Sequence, residues 1–183
     1  MSWLCRVRVW TAFAWWGLLP LTASVDGHAR GRATKLVFQP PVLLTKKPQG
    51  NPRQYQYTRF ENGLRVVNIE DGNDTKAAFS VAVAAGLYYD PWDRSGLAHL
   101  TEHALFLGTH KFPEASGFDH FLTTYGGTSN AWTEEESTVY YAELDSSGFE
   151  EGMGRFADFF KAPLLNATSI WKEVNAVHSE HSK

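Results

Sequence analysis

"GLAHLTEHALFLGTHKFP", residues 96–113, sets His99, Glu102 and His103 into an otherwise apolar run. Ionisable groups in apolar surroundings cost free energy unless they are paired or ligated, so the pattern His-x-x-Glu-His needs a physical reason. The run reads as a helix: Asp90-Pro91 breaks what precedes it, Ser95 can cap it and Gly108 can stop it. On that helix residues four apart lie one above the other, so the imidazoles of His99 and His103 aim at one point and form a two-donor metal clamp. Glu102 adjoins one histidine and stands three residues from the other, which lets its carboxylate reach a water on the metal without ligating it.

A catalytic zinc takes three protein ligands and keeps one position open for water. A last helix, expected from Thr168 or Ser169 through "IWKEVNAVHSEH", offers Glu173 and Glu180, seven residues apart on one face. Either could ligate while the other orients a histidine. With two neutral imidazoles and one carboxylate the metal keeps net positive charge, lowers the pKa of its water toward about 7 and polarises a carbonyl. His110, His120, His178 and His181 are read as surface or supporting residues; His181 points about 100° around the helix from Glu180.

Outward from the metal helix the pattern is mixed. "YTRF" and "LRVVNI" flank Glu61-Asn62-Gly63, a strong hairpin signal, and "AAFSVAVAAG" suits a buried central strand. After the metal helix come a second helix, roughly 114–125, a stop at Gly126-Gly127, and the strands "TSNAWT" and "STVYYAEL" around Glu134-Glu135-Glu136. Ser147 and Glu150 have capping-box spacing, and Phe149, Met153, Phe156 and Phe160 recur with helical period, so they mark a helix that buries its aromatic face before Pro163. The expected fold class is α+β, a mostly antiparallel sheet packed against helices, with the domain starting at Tyr55 and running to residue 183.

Residues 1–29 have the layout of a signal peptide: Arg6 and Arg8 precede an apolar stretch over 9–21, and cleavage could follow Ala23 or Ala29. The apolar stretch is shorter than the roughly 20 residues a spanning helix needs, so no stable membrane span is expected and the secretory pathway or extracellular space is the expected location. Residues 30–54, with Pro40, Pro41 and Pro48, read as a linker or extended arm. Cys5, the single cysteine, lies in the leader, which leaves a processed chain without a disulfide or a thiol nucleophile. Asn73-Asp74-Thr75 and Asn166-Ala167-Thr168 fit the N-glycosylation pattern. The 183 residues suit about one domain, and a formal charge of -3 supplies no basic field, so nucleic acid is excluded as a partner.

"GLAHLTEHALFLGTHKFPEASGFDHFLTTYGGTSNAWTEEESTVYYAEL" followed by "WKEVNAVHSEH" resembles the amino-terminal catalytic domain of the insulinase (pitrilysin, or inverzincin) family of zinc metallopeptidases, over about residues 57–183. The resemblance implies one Zn2+ per chain, held by His99, His103 and Glu180, with Glu102 as general base and Glu173 as a supporting acid. It further implies that residues 127–132, centred on Ser129-Asn130-Ala131, form an edge strand on which a peptide or small protein substrate aligns. An exposed strand edge has the backbone donors and acceptors for that pairing. Thr101 departs from the family pattern, which is usually bulky and apolar there. Family members resemble two related halves enclosing a chamber, and the second half has no counterpart in this chain, which ends three residues after Glu180. The expectation is therefore a zinc metalloendopeptidase domain, incomplete at its C-terminus. The alternative is a non-catalytic fragment that binds peptides, or a partner supplying the missing half.

Overall fold

Alternating apolar and polar residues build a seven-stranded sheet in the computed structural model, which describes residues 7–14, 42–72 and 74–181. The strands are β1 (Val7–Ala14), β2 (Val42–Leu43), β3 (Gln54–Arg59), β4 (Arg65–Asp71), β5 (Lys76–Val83), β6 (Thr128–Thr133) and β7 (Thr138–Asp145), in the spatial order β2-β3-β4-β1-β5-β7-β6. Every pair is antiparallel except β1 with β5. Four helices accompany them: α1 (Leu97–Leu105), α2 (Gly117–Thr124), α3 (Phe149–Phe159) and α4 (Ala167–His181). This is the α+β class expected.

The Asn62-Gly63 turn closes the β3–β4 hairpin as read, with Gly63 at φ 85° and the Phe60 N–H bonded to the Leu64 carbonyl at 2.8 Å. Upstream of it the sheet reaches further than the sequence suggested. Val42–Leu43 pairs with β3 inside the stretch read as a linker, the Leu44 N–H continues the ladder to the Tyr55 carbonyl at 2.9 Å, and β3 itself begins at Gln54. Val7–Ala14, within the stretch read as a leader, is strand β1. It lies antiparallel to β4 and parallel to β5, so β4 and β5 are not neighbours although only residues 72–75 join them. The rest of the leader and residues 30–41 lie outside the described residues.

The core sits under β5 and β7. Along β7, Thr138, Tyr140, Ala142 and Leu144 are buried while Tyr141 and Glu143 are exposed, the alternation of a sheet with one face covered and one in water. Phe79 of β5 packs its ring at a tilt against Phe156 (centroids 4.8 Å apart) and Phe149 (6.1 Å), which confirms the aromatic stripe of α3 as core. Gly127 is required where β6 begins, because a Cβ there would run into the Glu143 carbonyl of β7.

Two helix starts differ from the reading. Ser95 does not cap α1; the Asp90 carboxylate does, accepting from the Gly96 N–H at 2.6 Å and the Ala98 N–H at 2.8 Å. A carboxylate with two oxygens satisfies two of the first-turn amides and favours the positive end of the helix dipole. Before α3, Asp145 rather than Ser147 accepts, from the Ser147 N–H at 3.0 Å and its hydroxyl at 2.6 Å, because Ser146–Gly148 forms a single 3-10 turn.

Candidate metal centre

The helical spacing that brings His99 and His103 together is realised in α1, where their rings meet edge to face at 4.9 Å and the two Nε2 atoms stand 3.2 Å apart. Helix α4 packs against α1 through a face on which Glu173, buried Val177 and Glu180 follow one another at one-turn intervals. Glu173 Oε2 lies 3.0 Å from His103 Nδ1. A carboxylate only accepts, so His103 donates from Nδ1 and Nε2 is the atom turned toward His99. Glu180 Oε2 lies 3.3 Å from His99 Nε2 and 3.7 Å from His103 Nε2, with its side chain half exposed.

Donors bound to zinc at about 2.0–2.2 Å in a tetrahedral array are separated by about 3.3–3.5 Å. The three spacings here, 3.2, 3.3 and 3.7 Å, scatter closely around that range. Two imidazoles and a carboxylate are also the donor set that suits zinc, so the residues present fit the ion. Donor atoms of His99, Glu102 and His103 also lie within 4.8 Å of one another, which puts Glu102 at the same point in space.

Glu102 is 8% exposed, and its Oε2 accepts the Thr133 hydroxyl at 2.5 Å. Its charge and, more strongly, burial push the phenol of neighbouring Tyr140 well above its ordinary value, so that ring stays neutral. An open cleft of about 700 Å³ runs from these residues along β6. That strand ends the sheet, with Ser129, Ala131 and Thr133 on the half-buried side and Asn130 exposed. Ser129 donates to Asp119 of α2 at 3.3 Å.

Several residues singled out from the sequence lie elsewhere. His110, His120 and His178 are exposed and His181 closes α4, while Asn73 falls outside the described residues. Asn166 is exposed, but its Oδ1 accepts the Ser169 N–H at 3.2 Å, so it caps α4. Thr133, Asp119 and Asp90 were not foreseen. For Thr133 a signal existed: the two-residue period of "TSNAWT" puts it on the face of Ser129 and Ala131, toward the helices.

This fold and site define a metallopeptidase-type domain of one family. Residues 65–183 match the family model described as Insulinase (Peptidase family M16). The chain is 39% identical over 137 residues to the A-factor-processing enzyme of Saccharomyces cerevisiae, covering 75% of this chain and 13% of that protein. To the insulin-degrading enzyme of Homo sapiens it is 39% identical over 140 residues, 76% of this chain and 14% of that one. The crystal structure of pitrilysin superimposes with a TM-score of 0.71 at 31% identity, over 76% of this chain and 15% of that one. The chain belongs to the insulinase family of zinc-dependent peptidases, and it spans about one seventh of the length of these relatives.

Proposed function

We propose that this chain carries the zinc site of a metalloendopeptidase, with His99, His103 and Glu180 as ligands, Glu173 orienting His103, and Glu102 as general base. The observation that carries this reading is the convergence of Nε2, Nε2 and Oε2 at close to tetrahedral spacing beside a buried carboxylate. One bound Zn2+ would supply Lewis acidity and make a water acidic enough to lose a proton near neutral pH. Glu102 takes that proton as the water attacks a peptide carbonyl, then returns it to the leaving amine. Backbone groups of Ser129, Asn130 and Ala131 on the free edge of β6 pair with an extended peptide or small protein and hold its carbonyl over the cleft.

A second reading is favoured by one observation: the chain spans 13% and 14% of two of its relatives. On that reading it is a non-catalytic peptide-binding fragment, or one half of a chamber that a partner completes. Zinc content and cleavage of a quenched peptide, measured on the wild type beside Glu102→Gln and His103→Ala, separate the two. Stoichiometric zinc with cleavage that needs Glu102 supports the enzyme. Zinc bound through His103 without cleavage supports the fragment, and a folded chain that binds no zinc overturns the metal assignment.

Arg6, Arg8 and the apolar stretch after them support export through the secretory pathway. Val7–Ala14 cannot both remain in the sheet as β1 and be removed with a leader. N-terminal sequencing of the secreted chain decides: a start at or after residue 24 supports the leader, and an intact N-terminus supports the strand.

A further inference from the structure

Thr133 is the last residue of β6 and Thr138 the first of β7, and the two face each other in register with their hydroxyl oxygens 3.3 Å apart. Thr138 donates to the Ala85 carbonyl at 2.9 Å. Thr133 donates to Glu102 Oε2 at 2.5 Å. Each hydroxyl owns one proton, so once both are placed this way the contact between the two threonines carries none. The Thr133 proton has two acceptors in reach, a neutral hydroxyl and an ionised carboxylate. The charged one wins, as the short distance reflects.

Glu102 is therefore held from a strand rather than from its own helix. That bond fixes the rotation of the carboxylate that is to take a proton from water. The strand that holds it is the one on which the substrate is read to pair, so ordering β6 by a docked peptide also orders the base.

We propose that Thr133 is the positioning residue of the general base, tying Glu102 to the substrate strand. The proposal rests on the peptidase reading above. Its test is the affinity of the zinc-loaded chain for a peptide hydroxamate, which chelates a metal and also presents an O–H that a correctly placed carboxylate accepts. Thr133→Val should weaken hydroxamate binding about 10- to 100-fold, the worth of a hydrogen bond to a charged group, while zinc affinity stays within about twofold. Thr133→Ser, which restores the hydroxyl, should recover it. Where cleavage is measurable, Thr133→Val lowers kcat and leaves KM unchanged. Thr133→Ala removes the same hydroxyl and decides the matter should the valine variant not fold. Wild-type-like hydroxamate affinity in the valine or alanine variant, or no recovery with serine, overturns the role of Thr133 alone. Failure of the wild type itself to bind zinc overturns the peptidase reading and this proposal with it.

Discussion

Strands β5, β7 and β6 lie beneath α1, α2 and α3, whereas β2, β3 and β4 contribute little to the buried core. On the first side Phe79 is 1% exposed, and Ala142 and Leu144 not at all; on the second, Val42 and Leu43 are 57% and 54% exposed, and Val66 is the one hydrophobic side chain in the core. Every candidate metal donor hangs on the packed side or on α4, which docks against it. A metal site needs donors held to within fractions of an ångström, and dense packing supplies that rigidity where a half-wet ladder does not.

Removing Phe79 attacks the packed side most directly. Phe79→Ala should cost about 3–5 kcal/mol in a urea titration, since it leaves a cavity between the Phe149 and Phe156 rings. A loss under about 1 kcal/mol would mean the two sides differ less than their burial implies. Next in size is Glu173→Gln: loosening the orientation of His103 should lower zinc affinity about 10- to 100-fold with folding intact, and unchanged affinity would remove Glu173 from the site.

On the other side, Gly63→Ala places a side chain at φ 85° with open space around it, so it carries only backbone strain, about 1 kcal/mol. Zinc affinity should not follow; if it falls as well, the two sides act as one unit. The smallest effect concerns Asp145, whose carboxyl is held below its ordinary 3.8 by hydrogen bonds from the Ser147 side chain and backbone. Because the native value lies below the unfolded one, its contribution is complete above the unfolded value and is lost as pH falls through the native value. Asp145→Asn should flatten that acid limb of the stability curve, and an unchanged limb would show that the interaction contributes nothing measurable.

Legibility followed the range of the forces involved. The Asn62-Gly63 hairpin, the α3 aromatic stripe and the His99–His103 pair depend on residues within a few positions of one another, and each was readable. The caps misled because Ser95 and Ser147 satisfy a pattern, while Asp90 and Asp145 offer a charged carboxylate that competes better for the same amides. Thr133 escaped notice because its partner is 31 residues away in another element.

The sequence by itself determined that α1 would present two imidazoles and a carboxylate, since 3.6 residues per turn leaves no other arrangement. It also determined the β3–β4 hairpin, because Asn62-Gly63 supplies the turn between two strand-forming runs. Only the tertiary structure decided that β1 stands between β4 and β5, that Glu180 meets the imidazoles while Glu173 takes His103 Nδ1, and that Glu102 is held from β6. Those choices depend on the packing of elements far apart in the chain, where the free energy of burying one face against another selects among partners that local periodicity leaves equivalent.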